Sequence, residues 1–462
     1  MMKRSFLILT LLALYATAGA QPVKLQFNAT GSTDTMCYIA RHYRDEVQLL
    51  DSARVSAKGC LFTGQRPWGR GVYALVGQDR KTVLTDFLID DSRTFTLTGD
   101  ATLSSASIKV KGSRANEVMY QYRATEDAAR READSLRKAG ASTDALAERM
   151  TAYESQVRRD WKGNLYLQLV DLCEPADVPD EVNDKAYYYR THYWDPFFDS
   201  IAFYRSNPSA VLYSPQLFSK LNVFFYGMLY RADADTIIKE LDRLMARIGG
   251  DTALARYVLQ FIEPRYYRST RNIGWDAVWC HIASEYILKG RCPWMRESEL
   301  YLAKQNYQRI KQSIIGAHGQ ELWMLDTTQI DSPEHWHSSH RQPTKYVILW
   351  FWDPDCHHCQ EQSAELKVLY DSLQAAGNHR FEVYAIGYES DIDKWKRYIK
   401  EHDFRWINVG GSHVNIDYQE AYNVHGAPTM IILDERRDII MNKVLPIKSL
   451  MQFLDNYEKN KK

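Results

Sequence analysis

The sequence predicts a multidomain protein: an N-terminal all-β sandwich or barrel, a central all-α domain and a C-terminal α/β domain. Three patterns carry this. Apolar and polar residues alternate over residues 23–110, recur at helical spacing over residues 184–311, and from residue 345 form uninterrupted apolar runs between amphipathic stretches. The expected boundaries are 1–20 for a signal peptide, 21–112 for the β-rich domain, 113–180 for a helical linker region, 181–315 for the helical domain and 316–462 for the α/β domain.

Residues 1–20 read as an export signal. Lys3 and Arg4 are the basic region, residues 6–15 the apolar core, and Ala18, Gly19 and Ala20 the small residues before cleavage at Gln21. In the β-rich part, residues 23–27 and 94–98 have period two, and clusters such as Gly31-Ser32, Gly69-Arg70-Gly71 and Gly99-Asp100 mark turns. Residues 126–138 and 143–159 are rich in helix formers and are broken at Gly140 and Ser142. Pro175 and Pro179 mark a boundary. In the helical domain Ile237, Leu241, Leu244 and Ile248 share a face, with Asp235 as expected N-cap and Gly249 after the end. The aromatic residues of this part, including Trp275, Trp279 and Trp294, are expected in its core.

In the last part, residues 346–352 read as a strand covered on both faces. A helix carrying Leu366, Leu369, Tyr370 and Leu373 follows, then a strand at 381–386, a helix at 391–402, strands at 429–433 and 439–444, and a helix at 447–457. A net charge of zero excludes a basic nucleic-acid footprint. No stretch of the mature chain is long and apolar enough for a membrane span.

Of seven cysteines, Cys356 and Cys359 have a spacing that carries chemistry. In Cys356-His357-His358-Cys359 the two thiols lie one turn apart on one face of a helix start. The first helical position, expected for Cys356, favours an anion, so Cys356 is the expected attacking sulfur. Cys359, deeper in the helix, is the expected resolving one. His357 and His358 add positive charge that favours the thiolate, and Asp353 and Asp355 oppose it. Four consecutive residues cannot wrap a tetrahedral zinc ion, so no metal is assigned. The expected redox group is the Cys356–Cys359 disulfide itself, with no other cofactor. Cys37 with Cys60, and Cys280 with Cys292, are candidate structural bridges, against buried free thiols as the plainer reading. His335, His337 and His340 read as a solvated loop, with no acidic or Cys ligand to complete a metal set.

Trp352 to Cys359, the strand before them, and Gly426-Ala427-Pro428-Thr429 resemble the thioredoxin superfamily. With the export signal and an extension near residues 322–328, the chain resembles the exported TlpA/ResA-like thiol-disulfide oxidoreductases, in a Bacteroidetes arrangement with a small β-rich domain and an uncharacterised helical domain. The resemblance implies a thioredoxin-like fold, a cis-proline at Pro428 facing the cysteines, and tuning by Trp352, His357, His358 and Ala427. Three positions depart from the family: Trp350 replaces a buried Asp, Asp355 a Trp, and Gln362 a frequent Glu. The proton-handling group is therefore unassigned, with Glu361 and Glu365 nearby. The implied partners are cysteine-containing exported proteins and a membrane or periplasmic thiol/disulfide electron partner; the implied location is the periplasm or cell envelope. A non-catalytic or redox-sensing module whose helical domain recruits a partner, and a thiol peroxidase, are the alternatives.

Overall fold

The computed structural model describes residues 21–174, 176–268, 273–388 and 391–461. The expected signal peptide and the Pro175 boundary lie outside the described residues. The chain forms two compact units: one runs to residue 231 and includes 243–258; the other comprises 232–242 and 259 onward.

Among its described residues the first unit contains eight strands: β1 (Gln21–Ala29), β2 (Met36–Tyr43), β3 (Glu46–Ser56), β4 (Gly59–Arg66), β5 (Gly71–Val76), β6 (Val83–Ile89), β7 (Thr94–Gly99) and β8 (Lys109–Lys111). They form one sheet in the order β6-β5-β2-β3-β4-β1-β7-β8, in which only β1 and β7 pair parallel. The sheet curls on itself. Phe87 of the end strand β6 packs its ring 5.0 Å from Phe27 of β1 and 5.9 Å from Phe95 of β7. The expected all-β part is therefore a curled sheet whose two halves share one core. Cys37 of β2 and Cys60 of β4 lie at disulfide distance. Cys280 and Cys292 form no bridge; both are buried free thiols, and burial pushes them up to about 12 and about 11.

The helix Arg114–Lys138, which opens the expected helical linker region, packs against β6. Ser113 caps it, accepting from the Asn116 amide. The buried Asn116 side chain then imitates a neighbouring strand: Oδ1 accepts from Leu88 N–H at 2.7 Å and Nδ2 donates to Leu88 O at 2.9 Å. Asp86 of β6 receives Arg123 from the same helix at 2.8 Å and His42 of β2 at 2.6 Å. Further helices fill the central region up to residue 310, including Asp144–Asp160, Leu165–Cys173 and Ala234–Ile248. The N-cap of Ala234–Ile248 is Asp233 rather than Asp235, since Asp233 Oδ1 accepts from Thr236 N–H at 2.7 Å.

The second unit holds a seven-stranded sheet in the order β10-β9-β13-β12-β11-β14-β15. Its strands are β9 (Trp323–Asp326), β10 (Trp336–Ser338), β11 (Tyr346–Trp352), β12 (Phe381–Gly387), β13 (Ile407–Val414), β14 (Thr429–Leu433) and β15 (Ile439–Met441). All seven residues of β11 are fully buried, as its unbroken apolar run requires. Alternate residues feed two cores. Tyr346, Ile348, Trp350 and Trp352 join Leu366, Tyr370, Trp395 and Leu454 from the helices. Val347, Leu349 and Phe351 face Met324, Tyr384 and Tyr422. The sequence reading lacked β13 and the short helix Tyr418–Ala421. It also carried β15 three residues too far and overlooked the 3₁₀ turn Ile447–Ser449 before the helix Leu450–Asn460. Among the described residues no helix is long and apolar enough to cross a membrane.

Candidate active site

The site lies where β11 ends. Pro354 has no N–H to continue the ladder. Asp353 turns the chain, its Oδ1 accepting from Asp355 N–H at 2.6 Å and its carbonyl from Cys356 N–H at 3.1 Å. Cys356 is not the first helical residue, as expected, but the N-cap of the helix His357–Ala375. Its backbone is extended (φ −88°, ψ 110°), and its Sγ accepts from Cys359 N–H at 3.2 Å. Sulfur here does the work of a capping oxygen, satisfying an amide that the helix leaves free. The positive end of the helix dipole faces the same atom.

Cys359 follows one turn later and is fully buried, whereas Cys356 is half-buried. Neither is bridged in the structure. Burial foremost pushes the Cys359 thiol well above its ordinary value, with the Cys356 sulfur adding to the effect. The backbone of Asp353 favours the Cys359 thiolate, and the Cys356 and Asp353 charges oppose it. The Ala427–Pro428 bond is cis, and Ala427 O accepts from Cys356 Sγ at 3.6 Å. Cys356, Cys359, Ala427 and Pro428 are thus brought together across more than 65 residues of sequence.

The other expected tuning residues are placed differently. His357 and His358 are exposed, and both turn to Glu361, at 3.2 and 3.4 Å. Glu361 is thereby engaged on the outer face of the helix. Trp352 is fully buried in the core, with its ring 5.5 Å from that of Tyr398 and its indole N–H unpartnered. Trp350 donates from Nε1 to the buried Ser363 hydroxyl at 2.9 Å, so a neutral pair fills the place of the family's buried acid. Gln362 Oε1 is buried without a hydrogen-bond partner.

Two neighbours escaped sequence reasoning. Lys394, on the helix Ile392–Glu401, forms an ion pair with Asp355 and offsets the charge beside Cys356. Tyr398 of the same helix lies close enough to Cys359 for that thiol to add to the burial that pushes its phenol up. Neither carries a local sequence signal, because each contact spans about forty residues.

The histidine cluster is also corrected. His337 lies in β10, and His335 ends the 3₁₀ turn before it. Asp326 of β9 supplies the acid the sequence reading lacked: its Oδ2 is 2.9 Å from His335 Nδ1 and 3.7 Å from His337 Nε2. His340 Nε2 instead approaches Gly319 O at 3.0 Å. Among the described residues no group of three or more His, Cys, Asp or Glu side chains could hold a metal ion.

Residues 344–439 match the sequence model of the Thioredoxin-like family. No curated protein matches the chain. Among solved structures, a domain of a possible thiol-disulfide isomerase from Cytophaga hutchinsonii is 29% identical, covering 32% of this chain and 95% of that one, with a TM-score of 0.28. A thioredoxin-like protein from Bacteroides caccae is 18% identical, covering 61% of this chain and 97% of that one, with a TM-score of 0.47. A thiol-disulfide oxidoreductase from Bacteroides fragilis is 20% identical, covering 30% and 98%, with a TM-score of 0.26. The C-terminal part of this chain, from its family match and its sheet order, is a thioredoxin-like domain.

Proposed function

We propose that the chain is an exported thiol-disulfide oxidoreductase that exchanges disulfides with cysteine-containing polypeptides. The observation that carries this is the Cys356 sulfur, held at a helix N-cap between the Cys359 amide and the Ala427 carbonyl. The thiolate of Cys356 attacks a substrate disulfide. An S–S bond forms between Cys356 and one substrate sulfur, and the other leaves as a thiolate that takes up a proton. Cys359, having lost its proton, then attacks Cys356 Sγ, closing the Cys356–Cys359 disulfide and releasing the second substrate thiol. Two electrons pass to the substrate. The same steps in reverse oxidise a dithiol.

Burial of Cys359 keeps it protonated, and so unreactive, until the mixed disulfide forms. The redox group is the cysteine pair, with no further cofactor. The electron partner is a membrane or periplasmic thiol/disulfide protein, and the export signal at residues 1–20 supports that compartment. Catalysed reduction of insulin by dithiothreitol tests the reading. Cys356→Ser is expected to fall to the uncatalysed rate, and Cys359→Ser to accumulate a mixed disulfide through Cys356. Full turnover by Cys356→Ser would overturn the assignment.

A further inference from the structure

Lys394 meets the active-site turn at Asp355, the residue immediately before Cys356. Both partners of this ion pair are held from behind. The turn at 353–356 is fixed by Asp353, whose Oδ1 accepts from Asp355 N–H at 2.6 Å and whose carbonyl accepts from Cys356 N–H at 3.1 Å. Gln360 adds a brace from the following helix, donating from Nε2 to Pro354 O at 2.8 Å. On the other side, the helix Ile392–Glu401 is anchored by Trp395 and Ile399, both buried. Asp391 caps it, its Oδ1 accepting from Lys394 N–H at 2.9 Å. Tyr398 lies one turn beyond Lys394 on the same face, with its ring 5.5 Å from that of Trp352, the last residue of β11. Lys394 thus reaches Asp355 from an anchored helix, and Asp355 receives it on a braced turn.

The charge beside Cys356 turns on this contact. The turn and the start of the next helix carry the carboxylates of Asp353, Asp355 and Glu361. Glu361 is engaged by His357 and His358 on the outer face. Asp353 gives one oxygen to the Asp355 amide. Asp355 is the chain neighbour of Cys356, and among the described residues Lys394 is the cation that pairs with it. The Cys356 sulfur accepts from Cys359 N–H at 3.2 Å, at the positive end of the helix His357–Ala375. An unpaired carboxylate next to it would oppose a thiolate there. The two influences act on one atom with opposite sign, and Lys394 cancels the unfavourable one.

We infer that Lys394 is a positioning residue for disulfide exchange: by cancelling Asp355 it leaves the helix N-terminus to act on Cys356, and so sets how oxidising the Cys356–Cys359 pair is. This assignment rests on the reading of Cys356 and Cys359 given above. A stabilised thiolate favours the dithiol and makes the disulfide a stronger oxidant. Loss of Lys394 alone therefore makes the pair more reducing, and loss of Asp355 alone makes it more oxidising.

The test equilibrates the full chain with glutathione at about pH 8 in dilute buffer. The dithiol and one glutathione disulfide give the Cys356–Cys359 disulfide and two glutathione thiols. Lys394→Gln is expected to favour protein oxidation about threefold, the scale of one unit charge at neighbouring-residue distance in water. That factor corresponds to a potential lower by about 14 mV. Lys394→Arg is expected to stay near wild type. Asp355→Asn is expected to shift the equilibrium by a similar factor in the opposite direction, and the Lys394→Gln, Asp355→Asn double variant to return close to wild type. A purely structural role would instead move both single variants the same way and the double variant further. The Lys394→Gln shift is expected to shrink in about 1 M sodium chloride, where charges are screened within about 3 Å. An unchanged equilibrium in Lys394→Gln, shifts of one sign in both single variants, or a shift insensitive to salt would overturn the inference. A wild-type chain that reduces insulin while Lys394→Gln leaves the equilibrium untouched would sink this assignment alone. A wild-type chain that neither forms the Cys356–Cys359 disulfide in oxidised glutathione nor reduces insulin would overturn the exchange reading, and this assignment with it.

Discussion

Cys37 and Cys60 sit on the two strands that flank β3, in a sheet, and both are buried. Cys356 and Cys359 sit one turn apart at a helix start, with one sulfur half-exposed and the other covered. The first pair is joined in the structure and the second is open. The contrast extends to the polar groups around them. The curled sheet buries a charged carboxylate, Asp86, beneath Arg123 and His42, whereas the core behind Cys359 holds the neutral pair Trp350 and Ser363. A fixed buried charge stabilises one arrangement of its donors. A fixed negative charge behind a thiol that must ionise during turnover would oppose that ionisation. The difference teaches that burial serves shape in one region and reactivity in the other.

The largest effect expected to break this comparison concerns the cysteine pairs. Replacing Cys37 and Cys60 together with Ala reopens a loop whose ends are 23 residues apart. Loop entropy predicts a loss of about 3 kcal/mol in unfolding free energy, measured by urea denaturation under oxidising conditions. Insulin reduction by the same variant is expected to stay within about twofold of wild type, since neither sulfur belongs to the proposed mechanism. A loss of turnover matching that of Cys356→Ser would erase the distinction between a structural and a reactive pair.

A second, smaller effect concerns Asp86. Burial alone would push its carboxyl up, but the hydrogen bond from His42 and the Arg123 charge outweigh that and hold it below its ordinary value of 3.8. A carboxyl depressed by folding contributes stability above its unfolded value and loses it as pH falls through the lower folded value. Arg123→Gln removes part of that pull. The expected result is a loss of about 2 kcal/mol at neutral pH, the scale of a hydrogen bond to a charged group. The acid-unfolding midpoint is expected to move to higher pH, followed by circular dichroism. An unmoved midpoint would show that Asp86 is not held ionised by its donors.

The same contrast explains what could be read in the sequence. β11 and β14 were legible to the residue because strands covered on both faces leave unbroken apolar runs. The cysteine pair and Pro428 were legible as motifs, and in the structure Cys356 Sγ lies 3.6 Å from Ala427 O, next to the cis Ala427–Pro428 bond. β13 was not legible. Gly410 and Gly411 interrupt it: a Cβ on Gly410 would meet the Trp395 ring at 3.3 Å, and Gly411 has φ +83° where the pairing with β9 shifts register. Asp326 was missed as the partner of His335 and His337 because it lies on another strand. The Asp355–Lys394 pair and the Trp350–Ser363 bond depend on how helices lie against β11, which no local pattern encodes.

Ser363 offers the finest division between shape and reactivity. It is fully buried one turn beyond Cys359, and its hydroxyl accepts the indole N–H of Trp350 on β11. Ser363→Ala leaves that N–H buried and unpaired, a change expected to cost about 1 kcal/mol. If the pair serves only to keep the core behind Cys359 neutral and packed, urea stability should fall by that amount. The pH dependence of insulin reduction should then keep its shape, because a neutral acceptor has been lost and no charge has been gained. A pH profile displaced along its axis in Ser363→Ala, with the stability loss unchanged, would mean that the hydroxyl takes part in the proton traffic of Cys359 and that the neutral pair is itself part of the reactive machinery.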